Sequence, residues 1–260
     1  MGSRTYLDDI LAFHRQRCSA DSRSFSKLLE KAEQIDDSRD FANAISSTSG
    51  LSVIAEIKRR SPSKGNLRDD LDPVALASLY ESAGASCISV LTDAEFFSGS
   101  SQDLIAARSS TKIPILRKDF TMDKRDICDA RLMGADCVLL IVAALEDEKL
   151  REFLSLTKEL GMDALVETHD EREVERALRA GANIIGVNQR DLVTFTVDQE
   201  RAIRVIERIP PNVIRVAESG IRGLDDAVAL AQAGYQAVLV GEAFVTASDP
   251  SSLISSFKGL

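Results

Sequence analysis

The sequence predicts an α/β protein, a single (β/α)8 barrel carrying an N-terminal helical extension. Three observations predict it. After residue 50, eight short apolar runs of strand length alternate with longer amphipathic stretches. Four of those stretches close on one small signature, Ala83-Gly84-Ala85, Met133-Gly134-Ala135, Ala180-Gly181-Ala182 and Ala233-Gly234-Tyr235, in which a glycine stop leads into the next apolar run. The signature recurs at every second unit. Strands alternating with helices need right-handed crossovers and a parallel sheet, and eight such units in 260 residues match the size of a closed barrel. A doubly wound open sheet is the alternative, but no GxGxxG opens a helix after any strand.

Taken in order, residues 1–50 read as two or three helices, with Leu7, Ile10, Leu11 and His14 on one face and Phe25, Leu28 and Leu29 on another. They are expected to cover part of the barrel. No Pro/Gly/Ser-rich linker follows them, so residues 1–50 and 51–260 are read as one domain. The strand runs are SVIAEIK (52–58), CISVLTD (87–93), PILRKDF (114–120), CVLLIVA (137–143), ALVETH (164–169), IIGVNQR (184–190), VIRVAES (213–219) and AVLVGEA (237–243). Between them PVALASLYESAG, KRDICDARLMGA, DEKLREFLSLTKELG, EREVERALRAGA and GLDDAVALAQAGY place apolar residues at helical spacing.

Composition narrows the function. With 44% hydrophobic and 28% charged residues the chain resembles ordinary globular proteins, and a net charge of −9 argues against general nucleic-acid binding, which needs a basic face. The N-terminal segment lacks the apolar core of a secretory signal and no run is long enough to span a membrane, so a cytoplasmic location is expected. Cys18, Cys87, Cys128 and Cys137 form no CxxC pair, and His14 and His169 lie far apart. Metal-ligand spacing is therefore missing, and the thiols read as small buried side chains in a reducing compartment.

The chemistry is suggested by where charges sit. Side chains alternate along a strand, so Glu56 and Lys58 share a face, as do Asn188 and Arg190. Arg117 and Lys118, Glu167, and Glu218 and Ser219 likewise follow apolar residues at the ends of their runs. Burying such groups requires partners or a ligand, and in a barrel the C-terminal strand ends form the functional rim. Ser219-Gly220 after the seventh run and Gly241-Glu242 after the eighth put glycines where backbone N–H groups can approach an anion, the usual phosphate position in such barrels.

The ordered segments DFANAI, VIAEIKRRSPSKG, FFSGS, PILRKDF, GADCVLLIVAAL, ALVETH, IGVNQRDL, VAESGI and VLVGEAF resemble those of indole-3-glycerol-phosphate synthases over essentially the whole chain. The resemblance implies a lyase of tryptophan biosynthesis that closes 1-(2-carboxyphenylamino)-1-deoxyribulose 5-phosphate to an indole, losing carbon dioxide and water, without cofactor or metal. It implies Lys118 as the general acid for ring closure and Glu167 as the group assisting removal of the hydroxyl. Glu56 and Lys58 would supply the remaining acid-base work, with Asn188, Arg190, Glu218 and Ser219 orienting the substrate and Ser61 contacting its carboxylate. It further implies Pro62, Phe97, Phe120, Leu139, Ile141, Leu192 and Leu239 as the wall around the aromatic ring, and Ser219, Gly220, Gly241 and Glu242 as the phosphate grip. The sequence departs from the family where Gln189 replaces a frequent Asn and Glu242 an occasional Ser. A carboxylate repels phosphate, so Glu242 is expected to offer its N–H and turn its side chain away. The partner is then a small phosphorylated molecule, neither nucleic acid nor membrane, and the enzyme a monomer or weak homodimer.

Other readings remain at this stage. A desolvated Lys118 could form a Schiff base in a sugar-phosphate aldolase, and a phosphoribosyl isomerase is a further barrel enzyme, although Glu-x-Lys ending the first strand is not expected there. A catalytically silent phosphate-binding barrel would bind ligand without turnover.

Overall fold

The computed structural model describes residues 5–36, 38–61, 64–68, 70–191, 193–258 and 260. Eight parallel strands close into a (β/α)8, or TIM, barrel: β1 (Ser52–Ile57), β2 (Cys87–Leu91), β3 (Ile115–Lys118), β4 (Cys137–Ile141), β5 (Asp163–Thr168), β6 (Ile184–Asn188), β7 (Ile214–Glu218) and β8 (Ala237–Val240). Each pairs with its sequence neighbours, and β8 pairs with β1 to close the ring. The strands are buried along nearly their whole length, because helices cover one face and barrel-filling side chains the other. This explains why they read as continuous apolar runs.

Three helices precede the barrel: α1 (Tyr6–Ala20), α2 (Phe25–Glu33) and α3 (Phe41–Ser46). Outside the strands follow α4 (Pro73–Ala83), α5 (Ala94–Phe97), α6 (Ser101–Ser110), α7 (Lys124–Leu132), α8 (Asp147–Glu159), α9 (Glu171–Ala180), α10 (Arg201–Val205), α11 (Leu224–Ala233), α12 (Glu242–Thr246) and α13 (Pro250–Ser256). Their starts are set locally. Asp72 caps α4 ahead of Pro73, while Asp123 and Asp126 form a reciprocal capping box on α7. The four repeated glycines, Gly84, Gly134, Gly181 and Gly234, take φ of 100°, 87°, 93° and 100°, the left-handed conformation that ends a helix.

The extension covers the barrel at both ends. Helix α3 sits under the strand starts, with Phe41 and Ile45 fully buried. There Ser52 Oγ donates to the Ile45 carbonyl (2.9 Å), and the N–H groups of Arg39 and Ala42 donate to Asp136 and Asp163 at 2.7 and 2.9 Å. Helix α2 packs on α7. Helix α1 reaches the opposite rim, where His14 Nε2 meets Asp93 at 2.8 Å and the Tyr6 ring lies 5.8 Å from Phe96 and 5.0 Å from Phe195. Leu7, Phe25, Leu28 and Leu29 pack, partly buried, against the core, as the helical spacing predicts.

Candidate active site

The sheet register assembles a ring of chemistry at the strand ends. Leu91 of β2 pairs with Lys118 of β3, Ile141 of β4 with Glu167 of β5, and Glu218 of β7 is flanked by Asn188 of β6 and Leu239 of β8. These side chains, with Glu56 and Lys58 of the first unit, surround a cavity of about 590 Å³. That volume accommodates a small phosphorylated aromatic molecule.

At the cavity floor Lys118 Nζ lies 3.5 Å from Glu167 Oε2 and 3.8 Å from Glu218 Oε2. A second pair, Lys58 Nζ to Glu56 Oε1 at 2.5 Å, stands beside them. Burial alone would make Lys118 easier to deprotonate, but the carboxylates of Glu167, Glu218 and Glu56 override it, so its pKa is raised and it stays an ammonium. Burial also opposes ionisation of Glu167, yet Lys118 and His169 hold its pKa below the usual carboxylate range. Glu218 goes the other way. Burial and then the nearby Glu167 charge raise its pKa, and neither of its oxygens has a hydrogen-bond partner among the described residues. Lys118 cannot satisfy Glu167 and Glu218 equally, so ionisation is disfavoured at the carboxyl with the poorer company, Glu218.

Two glycines make room for this arrangement. A Cβ on Gly186 would fall 2.0 Å from Glu218 Oε1, and one on Gly241 would fall 2.2 Å from Glu56 Oε1 and 3.0 Å from Lys58 Nζ. Neither position tolerates a side chain while the carboxylates keep their places.

After β7, Ser219 and Gly220 adopt φ of 64° and 71° in succession. A non-glycine residue in that region carries strain of about 1–2 kcal/mol. Gln189 Nε2 donates to the Ser219 carbonyl (2.7 Å) and Gln199 Nε2 to that of Gly220 (2.8 Å), pinning both peptide units. A Cβ on Gly220 would lie 2.5 Å from Val197 Cγ1. Across the cavity mouth α12 begins at Glu242, whose carboxylate is 3.4 Å from Lys64 Nζ. Both side chains of that pair are substantially exposed, so the contact is weak.

Of the site residues implied by the family resemblance, Pro62 and Leu192 lie outside the described residues. All the others line the cavity: Glu56, Lys58, Ser61, Phe97, Lys118, Phe120, Leu139, Ile141, Glu167, Asn188, Arg190, Glu218, Ser219, Gly220, Leu239, Gly241 and Glu242. Arg190 does so from beyond β6, where its N–H donates to Asn188 Oδ1 (3.0 Å) and its guanidinium to the Phe195 carbonyl (3.1 Å). Arg117 turns away from Lys118, as strand alternation requires. Its guanidinium reaches Asp119 and the Asp126 carbonyl, both at 2.8 Å, so its charge belongs to packing.

Lys64, Asp93, Phe195, Gln199 and Arg222 also line the cavity without having been singled out. Lys64 and Arg222 stand within or just beyond motifs that were quoted, and proximity to SPSKG and AESG was their only signal. Asp93 ends the second strand run, where a charge at a strand end is a local signal, whereas Phe195 is placed by a long loop, which no local pattern reveals.

A sequence profile of the family described as indole-3-glycerol phosphate synthase matches residues 7–257. The protein of that name from Mycolicibacterium vanbaalenii is 49% identical over 257 residues, covering 98% of this chain and 94% of its own. That of an Arthrobacter species is 49% identical over 259 residues, covering 97% and 95%. That of a Parafrankia species is 51% identical over 232 residues, covering 89% and 86%. Among solved structures, 3-hexulose-6-phosphate synthase superposes with a TM-score of 0.64 at 14% identity, over 80% of this chain and 98% of that one. N-acetylmannosamine-6-phosphate 2-epimerase from Clostridium perfringens gives 0.61 at 12% identity, over 80% and 93%. At such low identity these two share the barrel alone.

Proposed function

The chain belongs to the indole-3-glycerol phosphate synthase family, and from that premise we propose how its rim converts 1-(2-carboxyphenylamino)-1-deoxyribulose 5-phosphate to indole-3-glycerol phosphate. It is a decarboxylating lyase. The aromatic carbon bearing the carboxylate attacks the substrate ketone while Lys118 gives a proton to the ketone oxygen, which becomes a hydroxyl. The carboxylate leaves as carbon dioxide, and the electrons of its bond restore the benzene ring. Dehydration then forms the indole double bond: Glu167, held ionised, takes the proton from the carbon beside the departing hydroxyl. Lys58, paired with Glu56, protonates that hydroxyl as it leaves as water.

The remaining residues bind. Phe97, Phe120, Leu139, Ile141 and Leu239 face the aromatic ring, with Pro62 and Leu192 assigned there by family resemblance. Ser61 takes the carboxylate, while Asn188, Arg190, Glu218 and Ser219 orient the chain. The N–H groups of Ser219, Gly220, Gly241 and Glu242 receive the phosphate, helped by the α12 N-terminus, while the Glu242 carboxylate stays with Lys64. A cytoplasmic enzyme folding as one domain, monomeric or weakly dimeric, completes the reading. Among the described residues no helix is long and apolar enough to cross a membrane, and cell fractionation with sedimentation tests location and assembly.

The observation that carries the reading is a buried lysine held charged between two carboxylates at the floor of the cavity. A lysine destined for Schiff-base chemistry must shed its proton to become nucleophilic, and this environment opposes that. Adding the carboxyphenylamino-deoxyribulose phosphate should produce indole fluorescence. Its absence at high enzyme concentration, or a borohydride-trapped adduct on Lys118, would overturn the proposal.

A further inference from the structure

One histidine outside the cavity is built against the proposed base. Strand alternation points Glu167 into the barrel and Thr168 out, where its hydroxyl donates to the Gly186 carbonyl (2.8 Å), and it returns His169 to the side of Glu167. The first turn of α9 then supplies a second carboxylate. Asp170 accepts from Glu173 N–H (2.8 Å), which places Glu173 one turn beyond His169. Glu173 Oε2 lies 2.8 Å from the His169 N–H and 3.0 Å from its Nδ1. With backbone and ring both tied to Glu173, Nε2 is left facing Glu167 Oε1 at 3.4 Å. No described residue meets hydrogen-bond geometry at this buried nitrogen, so its contact with Glu167 is that of an ion pair.

We propose that His169 is a positioning residue, which clamps Glu167 to Glu173 of α9 and so fixes the orientation in which the base faces the cavity. The proposal rests on the role assigned to Glu167 above. His169 does not line the cavity, so it has no route to the substrate except through Glu167. The two oxygens of Glu167 are divided between His169 on one side and Lys118, at 3.5 Å, on the other. A carboxylate held by a cation at each oxygen is restrained from rotating, which is what a proton acceptor with one productive geometry requires. The charged groups facing His169 are Glu167 of β5 and Glu173 of α9, with Lys118 and Glu218 beyond Glu167. Burial favours the neutral imidazole, but the carboxylates of Glu167 and Glu173 outweigh it and push the pKa up to about 10, which favours the cationic ring at neutral pH.

The test is the pH profile of kcat in His169→Asn and Glu173→Gln. Removing the imidazolium raises the Glu167 pKa, so the acidic limb should move toward neutral pH. We expect His169→Asn to lower kcat about tenfold, short of the roughly 10²–10⁴ lost when the acid-base group itself is removed, with KM nearly unchanged. Glu173→Gln should move the same limb by less, and it decides the matter if the asparagine variant does not fold. A lowered melting temperature with an unmoved limb would make His169 merely structural and overturn the proposal. Glu167→Gln separates the two levels: full activity would refute the role of Glu167 itself. An inactive Glu167→Gln beside an unmoved limb in the other variants would refute the clamp alone.

Discussion

Glu167 and Glu218 show how one site can set two carboxyls at opposite protonation states. Lys118 is 3.5 Å from Glu167 and 3.8 Å from Glu218, yet Glu167 also has His169, which favours its charge, whereas Glu218 has no hydrogen-bond partner among the described residues and its pKa is raised. Lys118→Ala should therefore lower kcat by roughly 10²–10⁴ while ligand binding remains measurable, checked by indole fluorescence beside calorimetry. Glu218 leaves a thermodynamic trace as well. Its folded pKa is raised, so above the ordinary carboxylate range the folded chain retains a proton the unfolded chain has lost, and its contribution to stability falls as pH rises through that window. Urea midpoints of Glu218→Gln should depend less on pH there than those of the parent; an unchanged dependence would place the proton elsewhere.

Secondary-structure elements meet at glycines of two kinds. Gly181 ends α9 at φ 93° with no atom of the described residues within 4 Å of a hypothetical Cβ, so its requirement is one of backbone conformation. Gly181→Ala should cost about 1–2 kcal/mol and lower the melting temperature by several degrees without touching activity, by calorimetry and assay. Gly241 joins β8 to α12 for a different reason, since its φ is −116° and a Cβ would strike Glu56. Gly241→Ala should lower kcat/KM at least tenfold with a smaller effect on the melting temperature, because the Glu56–Lys58 pair must move. The stops at Gly84, Gly134, Gly181 and Gly234 were legible because helix termination is local. The steric demand of Gly186 and Gly241 was not, because the atoms they avoid come from other strands.

The molecule divides its work between the ends of the barrel. At the strand starts α3 seals the interior with Phe41, while at the strand ends the cavity gathers its charges. Phe41→Ala should cost about 3–5 kcal/mol, as a buried aromatic truncation does, measured by denaturant unfolding. Well below its melting temperature the variant should retain a near-parental KM, and a large change in KM would mean that the two ends are coupled.

The alternation of strand and helix, the barrel, and the acids and bases at the strand ends were determined by the sequence itself. Period, helix stops and side-chain alternation are properties of neighbouring residues, and Glu56, Lys58, Lys118, Glu167, Asn188 and Glu218 all face the cavity. Only the tertiary structure decided that Phe195 joins the rim and that His169 meets Glu167. Those outcomes depend on which groups from distant segments come within a few ångströms, and the charge each carboxyl bears follows from that company.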